Sequence, residues 1–209
     1  MKLTIIGASR GIGSQLLKFA LEDGHEITAL LRKPDKLRIA NPGLHKIKGD
    51  ILDPSSVFAV TSGQDAVCVC VGMPPTLKPV FLFSRSIMNV LSAIGNNAEM
   101  KLIVITGIGA GDSRGHGGFL YDRIVNPLLL KQIYKDKDRE EALIKDSKCN
   151  WMIVRPGFLT NGPRTGKYRV LDDLKGIKAG RISRSDVADF ILKQLKEPTH
   201  FGKTPLLTY

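Results

Sequence analysis

The chain has 209 residues, of which 43 % are hydrophobic and 24 % are charged. This length and composition are typical of one large globular domain with a substantial core. No apolar run approaches the roughly 18 residues that a membrane span needs, and the first residues lack the features of a secretion signal. The cysteine count of 3 is odd, which favours reduced thiols over disulfides. We therefore expect a soluble cytoplasmic protein without a membrane segment or a metal site.

The charge is the unusual part of the composition. The chain carries 31 Lys and Arg against 20 Asp and Glu, which gives a formal net charge of +11. A basic surface favours polyanionic ligands, either nucleic acid or a phosphorylated cofactor. The basic residues are spread along the chain, without a continuous basic block or an RNA-binding motif interleaved with aromatic residues. The pattern therefore does not favour nucleic acid as a partner, and most of these charges are expected to lie on a solvated surface.

The chain begins with a short apolar run, residues 3–6, that stops at a glycine. Two more glycines follow within six residues, and an amphipathic segment with helical spacing then begins. A strand, a glycine turn and a helix in this order present the first helix amides and the positive end of the helix dipole to a pyrophosphate. We predict that this turn binds a dinucleotide; the alternative is an ordinary glycine turn in a βαβ unit. The predicted contacts are Gly7, Ser9, Arg10, Gly11, Ile12 and Gly13.

Residues 26–31 form the second predicted strand, which ends in Arg32 and Lys33, with no carboxylate before Asp35. An acidic residue near this position binds the ribose 2′-hydroxyl in enzymes that prefer NAD, whereas an arginine accommodates the 2′-phosphate of NADP. Arg10 adds a second guanidinium at the same corner, and guanidinium groups bind phosphate bidentately. We therefore expect NADP(H) to be preferred over NAD(H). The alternative is that Arg32 is a solvated charge at a strand end.

Two further strand ends are expected to reach the cofactor. Residues 44–48 are predicted to be a third strand, and the carboxylate and isoleucine that follow it can contact an adenine. Residues 65–71 form the near-continuous apolar run of a central parallel strand, and the glycine after it leaves room for a cofactor. The predicted contacts at these two strand ends are Asp50, Ile51, Val71 and Gly72.

A glycine-rich segment, residues 106–118, follows the fifth predicted strand, residues 101–105. Its composition excludes regular structure, and loops at this edge of a parallel sheet often cover substrates. We interpret it as a lid or substrate loop; a merely flexible connection is the alternative. His116 lies in this loop and is a candidate proton donor after loop closure, against the alternative of a plain loop histidine.

Strands and helices alternate along the whole chain. This alternation predicts a Rossmann-like α/β fold, in which a doubly wound parallel sheet has helices on both faces and forms the middle of three α/β/α layers. No linker or repeat divides the chain, so we expect a single domain over residues 1–209. The remaining predicted elements are helices over residues 80–98 and 127–145, a strand over 150–154, a helix capped by Ser185 and a last strand over 205–208.

Five stretches of the chain together resemble the atypical short-chain dehydrogenase/reductase superfamily. They are T-I-I-G-A-S-R-G-I-G, G-D-I-L-D, V-I-T-G-I-G-A-G-D-S, the segment from D-K-D-R-E-E to I-V-R-P-G-F-L, and I-S-R-S-D-V-A-D-F. The chain is most similar to the NAD(P)H-binding branch that contains NmrA-like proteins and the flavin reductase that also reduces biliverdin. One departure is Arg10, which stands where this branch usually has a glycine.

The resemblance also implies contacts near the nicotinamide. Residues after the sixth strand, Pro156, Gly157 and Phe158, correspond to its contacts in relatives, and Lys137 corresponds to a helix position beside the cofactor. Thr106 stands where the flavin reductase has a serine and could supply a catalytic hydroxyl. The Tyr-x-x-x-Lys pair of many short-chain dehydrogenases is absent, because none of the four tyrosines has a lysine four residues later. We take Thr106 and Lys137 as the candidate catalytic residues.

These features favour an NADPH-dependent oxidoreductase of the atypical type. Hydride would pass to a small aromatic acceptor of the flavin or quinone kind, which needs little help from a protein acid. The alternative is a non-catalytic NADP(H)-binding redox sensor that acts through a protein partner, as in NmrA-like relatives; the missing tyrosine–lysine pair favours it. Either protein is expected to be a monomer or a homodimer.

Overall fold

The computed structural model describes residues 1–209. The strands are β1 (Lys2–Ile6), β2 (Glu26–Leu31), β3 (Leu44–Lys48), β4 (Ala66–Val69), β5 (Lys101–Ile105), β6 (Asn150–Pro156), β7 (Phe158–Thr160), β8 (Arg169–Leu171), β9 (Arg181–Ser183) and β10 (Leu206–Thr208). The α-helices are α1 (Gly11–Glu22), α2 (Pro54–Thr61), α3 (Leu82–Ile94), α4 (Lys131–Asp146) and α5 (Arg184–Lys196). A π-helical stretch, Tyr121–Leu130, leads directly into α4.

Eight strands form one sheet in the order β3–β2–β1–β4–β5–β6–β10–β8. All neighbours are parallel except β8, which runs antiparallel to β10. The chain winds outward from β1 through β2 and β3 on one side, and through β4, β5 and β6 on the other. Ligands of such sheets bind where the winding reverses, at the carboxyl ends of the strands. This arrangement confirms the predicted doubly wound parallel sheet and directs attention to the crevice between β1 and β4.

Helices cover both faces of this sheet, which makes three layers. On one face α1 packs beside α5 over a core cluster of 26 buried residues. On the other face α2, α3 and α4 pack side by side over a second cluster of 15 buried residues. No helix has both the length and the apolar character that crossing a bilayer requires.

Most predicted boundaries agree with the structure, but the cap of α5 was predicted two residues too late. The side chain of Ser183, not that of Ser185, accepts a hydrogen bond from the Asp186 amide at 2.9 Å. Ser185 lies inside the first turn. Both serines suit a cap by type; Ser183 takes the role because β9 ends there in an extended conformation and the chain becomes helical at the next residue.

The region before α4 differs most from the sequence-based expectation. We predicted a helix over residues 127–145. The chain is instead already helical from Tyr121, and Pro127 lies inside the π-helical stretch. No strand was predicted between residue 154 and the helix at Ser185, yet β7 and β9 pair in parallel there and β8 joins the main sheet. These three-residue strands are too short to show a hydrophobic period.

Candidate functional site

Two adjoining cavities open along the carboxyl edge of the sheet, at the crevice between β1 and β4. The larger cavity has a volume of about 680 Å³ and the smaller one about 200 Å³. Arg10, Cys70, Val71 and Gly72 line both, so the two cavities form one cleft. Burial raises the pKa of the Cys70 thiol to about 12, so this side chain brings no charge to the cleft. Every residue predicted to contact the cofactor lines one of the two cavities, except Gly13.

The three glycines of the turn meet two different requirements, the close approach of neighbouring backbone and a positive φ. Gly7 has φ +93°, and a Cβ there would lie 2.5 Å from the Cys70 carbonyl oxygen. At Gly13 a Cβ would lie 2.3 Å from the Gly7 carbonyl oxygen, so Gly13 serves the close approach of α1 to β1. Gly11 has φ +66° and open space on its Cβ side. The turn therefore presents bare backbone to the cleft.

The first turn of α1 has free amides beside this backbone. Arg10 is the residue before the helix, its side chain caps no amide, and the first turn contains no acidic residue. The first N–H groups of a helix need partners, and they attract anions together with the helix dipole. The glycine cradle and these amides fit the pyrophosphate of a dinucleotide.

The smaller cavity lies beyond the ends of β1, β2 and β3, and two arginines border it. Arg10 and Arg32 both line it. The arginines that form ion pairs are Arg114, Arg139, Arg155 and Arg164. Arg10 and Arg32 therefore keep their positive charges unpaired at the cleft.

The strand end after β3 forms the other wall of the smaller cavity. Asp50 accepts a hydrogen bond from the Leu52 amide at 3.0 Å, which fixes the turn. Ile51 is buried, and its carbonyl oxygen accepts a hydrogen bond from Asn89 on α3 at 2.9 Å. Both predicted adenine contacts are thus held in place at the edge of the cavity.

The larger cavity lies beyond the ends of β4, β5 and β6, against α4. It contains Thr106, Lys137 and the segment 156–158, which the sequence analysis had grouped together. Its walls are largely apolar. The apolar side chains that line it are Ile12, Val71, Met73, Phe83, Ile105, Ile108, Ile133, Phe158 and Leu159.

Lys137 enters the larger cavity from α4 as a buried cation. Its Nζ donates a hydrogen bond to the Ile105 carbonyl oxygen at 3.2 Å and lies 4.2 Å from the centre of the Phe83 ring. It is also 3.9 Å from Oε2 of Glu140, an oxygen without a hydrogen-bond partner. Burial lowers the pKa of Lys137 and raises the pKa of Glu140 to about 7, against the attraction between the two groups.

Thr106 is tied into an ion-pair network behind the cavity. Its hydroxyl donates to Oε1 of Glu141 at 2.8 Å, and the fully buried Arg155 binds the same carboxylate through Nε at 3.0 Å and through Nη2. Asp112 completes the network by binding Nη1 of Arg155. Because the one hydroxyl proton of Thr106 is committed to Glu141, Thr106 can offer the cleft only lone pairs unless this bond breaks.

The glycine-rich segment 106–118 is fixed to its surroundings more firmly than a lid would be. The Gly111 amide donates to Asp138 of α4 at 2.8 Å, and Arg114 pairs with the same carboxylate. His116 is turned away from both cavities, and its Nδ1 donates to the Ile177 carbonyl oxygen at 2.8 Å. The start of the segment is therefore a fixed wall of the larger cavity, and His116 is not part of it.

Tyr121 and Tyr134 also line the larger cavity, although neither was predicted to be a site residue. The hydroxyls of Tyr121 and Tyr134 lie 2.8 Å apart, and the Tyr121 hydroxyl is 3.1 Å from the Ile108 carbonyl oxygen. Burial raises the pKa of both tyrosines. Tyr121 also packs edge-on against Phe158, with ring centres 5.1 Å apart. Two neutral hydroxyls therefore stand beside the residues predicted to contact the nicotinamide.

Tyr121 and Tyr134 do not fit the spacing of Tyr-x-x-x-Lys, each for a different reason. Tyr134 is three residues before Lys137, and residues three apart also share one face of a helix. Tyr121 is 13 residues before Tyr134, a separation of about 20 Å along a straight helix. The two hydroxyls meet because the helical path bends before α4, where Leu130 has φ −115° and ψ −1° after the π-helical turn around Pro127.

Comparison with known proteins agrees with this geometry. The model of a family described as NAD(P)H-binding matches residues 7–198. The uncharacterised sugar epimerase YhfK of Bacillus subtilis (strain 168) is 26 % identical over 203 residues, which cover 94 % of this chain and 89 % of that protein. The uncharacterised protein YwnB of the same organism is 26 % identical over 220 residues, covering 96 % of this chain and 94 % of YwnB.

Solved structures share the fold over its full length. ChuY, an anaerobilin reductase from Escherichia coli O157:H7, superposes with a TM-score of 0.83 at 22 % identity, covering 100 % of this chain and 97 % of ChuY. A proposed NADH-flavin reductase from Streptococcus pneumoniae TIGR4 superposes with a TM-score of 0.78 at 23 % identity, covering 100 % and 99 %. The match over residues 7–198, together with the glycine cradle, shows that this chain belongs to the NAD(P)H-binding family and takes a nicotinamide dinucleotide.

Proposed function

We propose that this protein is an NADPH-dependent reductase that transfers a hydride to a flat aromatic acceptor of the flavin or quinone kind. One observation carries the proposal: a single cleft joins the glycine turn and its unpaired arginines to an apolar cavity at the ends of β5 and β6. A dinucleotide laid along this cleft has its phosphates at one end and its nicotinamide at the other. The acceptor then binds in the remaining apolar space.

The phosphate end is held by charge and backbone. The amides of the turn 7–13 bind the pyrophosphate, and Arg10 and Arg32 bind the 2′-phosphate of the adenosine ribose. Asp50 accepts a hydrogen bond from the adenine amine, and Ile51 covers the ring. NADPH is preferred over NADH, since two unpaired guanidinium groups favour a second anionic group at this corner.

The nicotinamide end is held by side chains from three elements. Lys137 donates to the nicotinamide ribose, and the segment 156–158 contacts the ring, with Gly72 leaving room between them. Thr106 contacts the same end through its lone pairs. When bound, the reduced nicotinamide supplies the hydride; the protein holds the acceptor against it and excludes water with apolar walls.

The comparisons support a reductase, since two structural neighbours are described as an anaerobilin reductase and a proposed NADH-flavin reductase. Apolar walls such as Met73, Phe83 and Leu159 suit a flat ring system. The test is NADPH oxidation by the purified protein with FMN and with menadione, a naphthoquinone, as acceptors. Turnover that saturates with acceptor is expected. No turnover with either acceptor, while the protein binds NADPH, would contradict the proposal.

The cofactor preference has its own test, Arg32→Asp. This change replaces a phosphate-binding cation by a repelling carboxylate, and it should weaken NADPH binding by about 1.5–3 kcal/mol, the scale of a charged hydrogen bond. The dissociation constants of NADPH and NADH are measured by fluorescence titration. Lys33→Asp is the matched control, because this substitution makes the same change of charge at the next position. Lys33 does not line the smaller cavity. Equal losses in both variants would show a general charge effect and overturn the assignment of Arg32.

One surface favours the second candidate, a redox sensor that acts through a protein partner. Five large apolar side chains are exposed on and just before the π-helical stretch, beside the larger cavity: Phe119, Leu120, Ile124, Leu128 and Leu129. Exposed apolar patches often mark interaction sites. The sensor is favoured over the reductase if NADP⁺ binds tightly and no acceptor is turned over.

A further inference from the structure

We propose that Tyr134 is the proton donor of the reduction and that Tyr121 stabilises the Tyr134 phenolate that forms. This inference rests on the proposed reductase function. It assigns the missing acid of the site to a pair of tyrosines from two segments of the bent helix, and it gives the second tyrosine the role that a lysine has in the Tyr-x-x-x-Lys pair.

The hydrogen-bond order of the pair follows from its partners. The Ile108 carbonyl oxygen can only accept, so Tyr121 donates its proton to it. The Tyr121 hydroxyl also lies 2.8 Å from the Tyr134 hydroxyl, and as long as Tyr121 donates to Ile108 the proton between the two hydroxyls is that of Tyr134. With its proton turned toward Tyr121, Tyr134 has lone pairs free; with an acceptor in the cavity, Tyr134 can rotate the same proton toward it.

The surroundings hold Tyr134 in place for this role. A Cβ on Gly107 would lie 3.3 Å from the Tyr134 hydroxyl, and a Cβ on Gly109 would lie 3.3 Å from the carbon that bears this hydroxyl. Both glycines have positive φ, +137° and +103°, so the loop after β5 follows the tyrosine ring closely. The loop therefore packs against the Tyr134 ring, which also lines the larger cavity.

Lys137 does not have the role toward Tyr134 that the lysine has in the Tyr-x-x-x-Lys pair. Its charge is held by Glu140, by the Phe83 ring and by the Ile105 carbonyl oxygen. Tyr121 is the group within hydrogen-bond distance of Tyr134. When Tyr134 loses its proton, Tyr121 can turn its own hydroxyl from Ile108 to the new phenolate, and hydrogen bonds to charged groups are stronger than the neutral bond it gives up.

The proton balance of the step is simple. Hydride addition forms one new bond to hydrogen on the acceptor and moves a π electron pair onto an oxygen or nitrogen of the acceptor. That atom takes the Tyr134 proton, and Tyr134 recovers a proton from solvent after the reduced acceptor leaves. Each reduction consumes one NADPH and one proton. A neutral tyrosine suits this step, because it keeps its proton until negative charge develops on the acceptor.

The main test is Tyr134→Phe, which removes the hydroxyl and keeps the ring. With menadione as acceptor, kcat should fall by about 10- to 100-fold, at or below the low end of general acid catalysis because an acceptor of this kind needs little help from an acid, while the dissociation constant of NADPH stays within twofold. In the absence of cofactor, FMN binding, followed by flavin fluorescence, should weaken by about 3- to 10-fold, the scale of one neutral hydrogen bond. Tyr168→Phe is the control, because the Tyr168 hydroxyl binds Asp189 and lies outside the cleft.

Tyr121→Phe is the second variant and leaves the proposed donor in place. It should lower kcat with menadione by about 10-fold, with NADPH binding unchanged and the solvent isotope effect on kcat increased, because proton transfer becomes slower. This variant also decides the matter if Tyr134→Phe does not fold. Wild-type kcat in either variant overturns the tyrosine assignment alone. Absence of turnover by the unmodified protein overturns the reductase function and this inference together.

Discussion

The smaller and the larger cavity of the cleft differ in the parts of the chain that line them. The smaller cavity and the turn that it shares with the larger one are lined mainly by residues at or directly after the ends of β1, β2, β3 and β4. The end of the larger cavity where we propose that the reaction takes place, the reaction end, consists of side chains from β5, β6, α4 and the π-helical stretch. Hydrogen bonds join its polar groups across those elements.

This difference decides how each cavity responds to change. A backbone cradle has one strict requirement, the absence of a Cβ at a few positions, and otherwise tolerates varied side chains. A side-chain wall depends on buried charges and hydroxyls that need their partners, because an unpaired buried charge is expensive.

Arg155→Met should cause the largest loss of stability. Arg155 is fully buried and joins Glu141 of α4 to Asp112 of the glycine-rich segment. Its removal leaves the buried Glu141 carboxylate with only Thr106 and Lys145 as partners, which should cost about 3–5 kcal/mol in the free energy of unfolding. Urea denaturation followed by tryptophan fluorescence measures this.

The matched control for this ion pair is Arg114→Met on the same segment. Arg114 pairs with Asp138 of α4, and its side chain is 59 % exposed. A solvent-exposed pair contributes about 0–1 kcal/mol. If the two variants lose similar amounts of stability, the network around Arg155 does not hold the reaction end together.

Gly13→Ala should damage the phosphate end selectively. Alanine favours a helix over glycine by about 1 kcal/mol, but here its Cβ would lie 2.3 Å from the Gly7 carbonyl oxygen. The overlap must push α1 from β1, at a cost of about 1–3 kcal/mol. NADPH binding should weaken by roughly 10- to 100-fold, as misplaced amides lose charged hydrogen bonds.

Gly24→Ala controls for the glycine replacement itself. Gly24 differs from Gly13 in having a positive φ, +76°, and a Cβ there would meet nothing within 4 Å; it follows the far end of α1. This variant should lose some stability through backbone strain and bind NADPH as the unmodified protein does. Wild-type NADPH affinity in Gly13→Ala would contradict the view that the turn positions the phosphates.

Glu140→Gln should change how the stability of the protein depends on pH. Burial raises the pKa of Glu140 from 4.5 to about 7 in the folded protein. A raised pKa stabilises the fold fully below pH 4.5, and this contribution is lost as the pH rises through about 7. Glutamine does not ionise, so the stability of the unmodified protein relative to Glu140→Gln should fall as the pH rises over this range. Parallel curves would show that Glu140 does not titrate there; Glu99→Gln, an exposed glutamate, reports the effect of the amide alone.

Much of the fold could be predicted because its elements have local signatures. The predicted spans of β2, β3 and β5 coincide with the structure, since each is an extended apolar or alternating run that ends at a turn signal. Asp53 is a favoured residue type for a helix N-cap, and it begins α2 by accepting hydrogen bonds from Ser55 and Ser56. The order of the elements then predicted the sheet, because parallel strands joined by helices allow few topologies.

The candidate site could be predicted only where it is local. Gly7 and Arg32 each follow directly from a strand end, so their place at the cleft can be inferred from position alone. Arg155 was noted as part of a motif, but its partners Glu141 and Asp112 lie 14 and 43 residues away. No local pattern reports such pairing.

The sequence by itself determined that a dinucleotide cradle lies at the start of a doubly wound sheet, and that two arginines flank it. These properties depend on glycine's backbone freedom and on local periodicity, which the order of residues expresses directly. Only the tertiary structure decided what stands at the other end of the cleft. Tyr121 and Tyr134 meet there because a helix bends between them. Thr106 donates a hydrogen bond to Glu141 because α4 packs against β5 and β6. Such contacts join residues far apart in the chain, so folding alone brings them together.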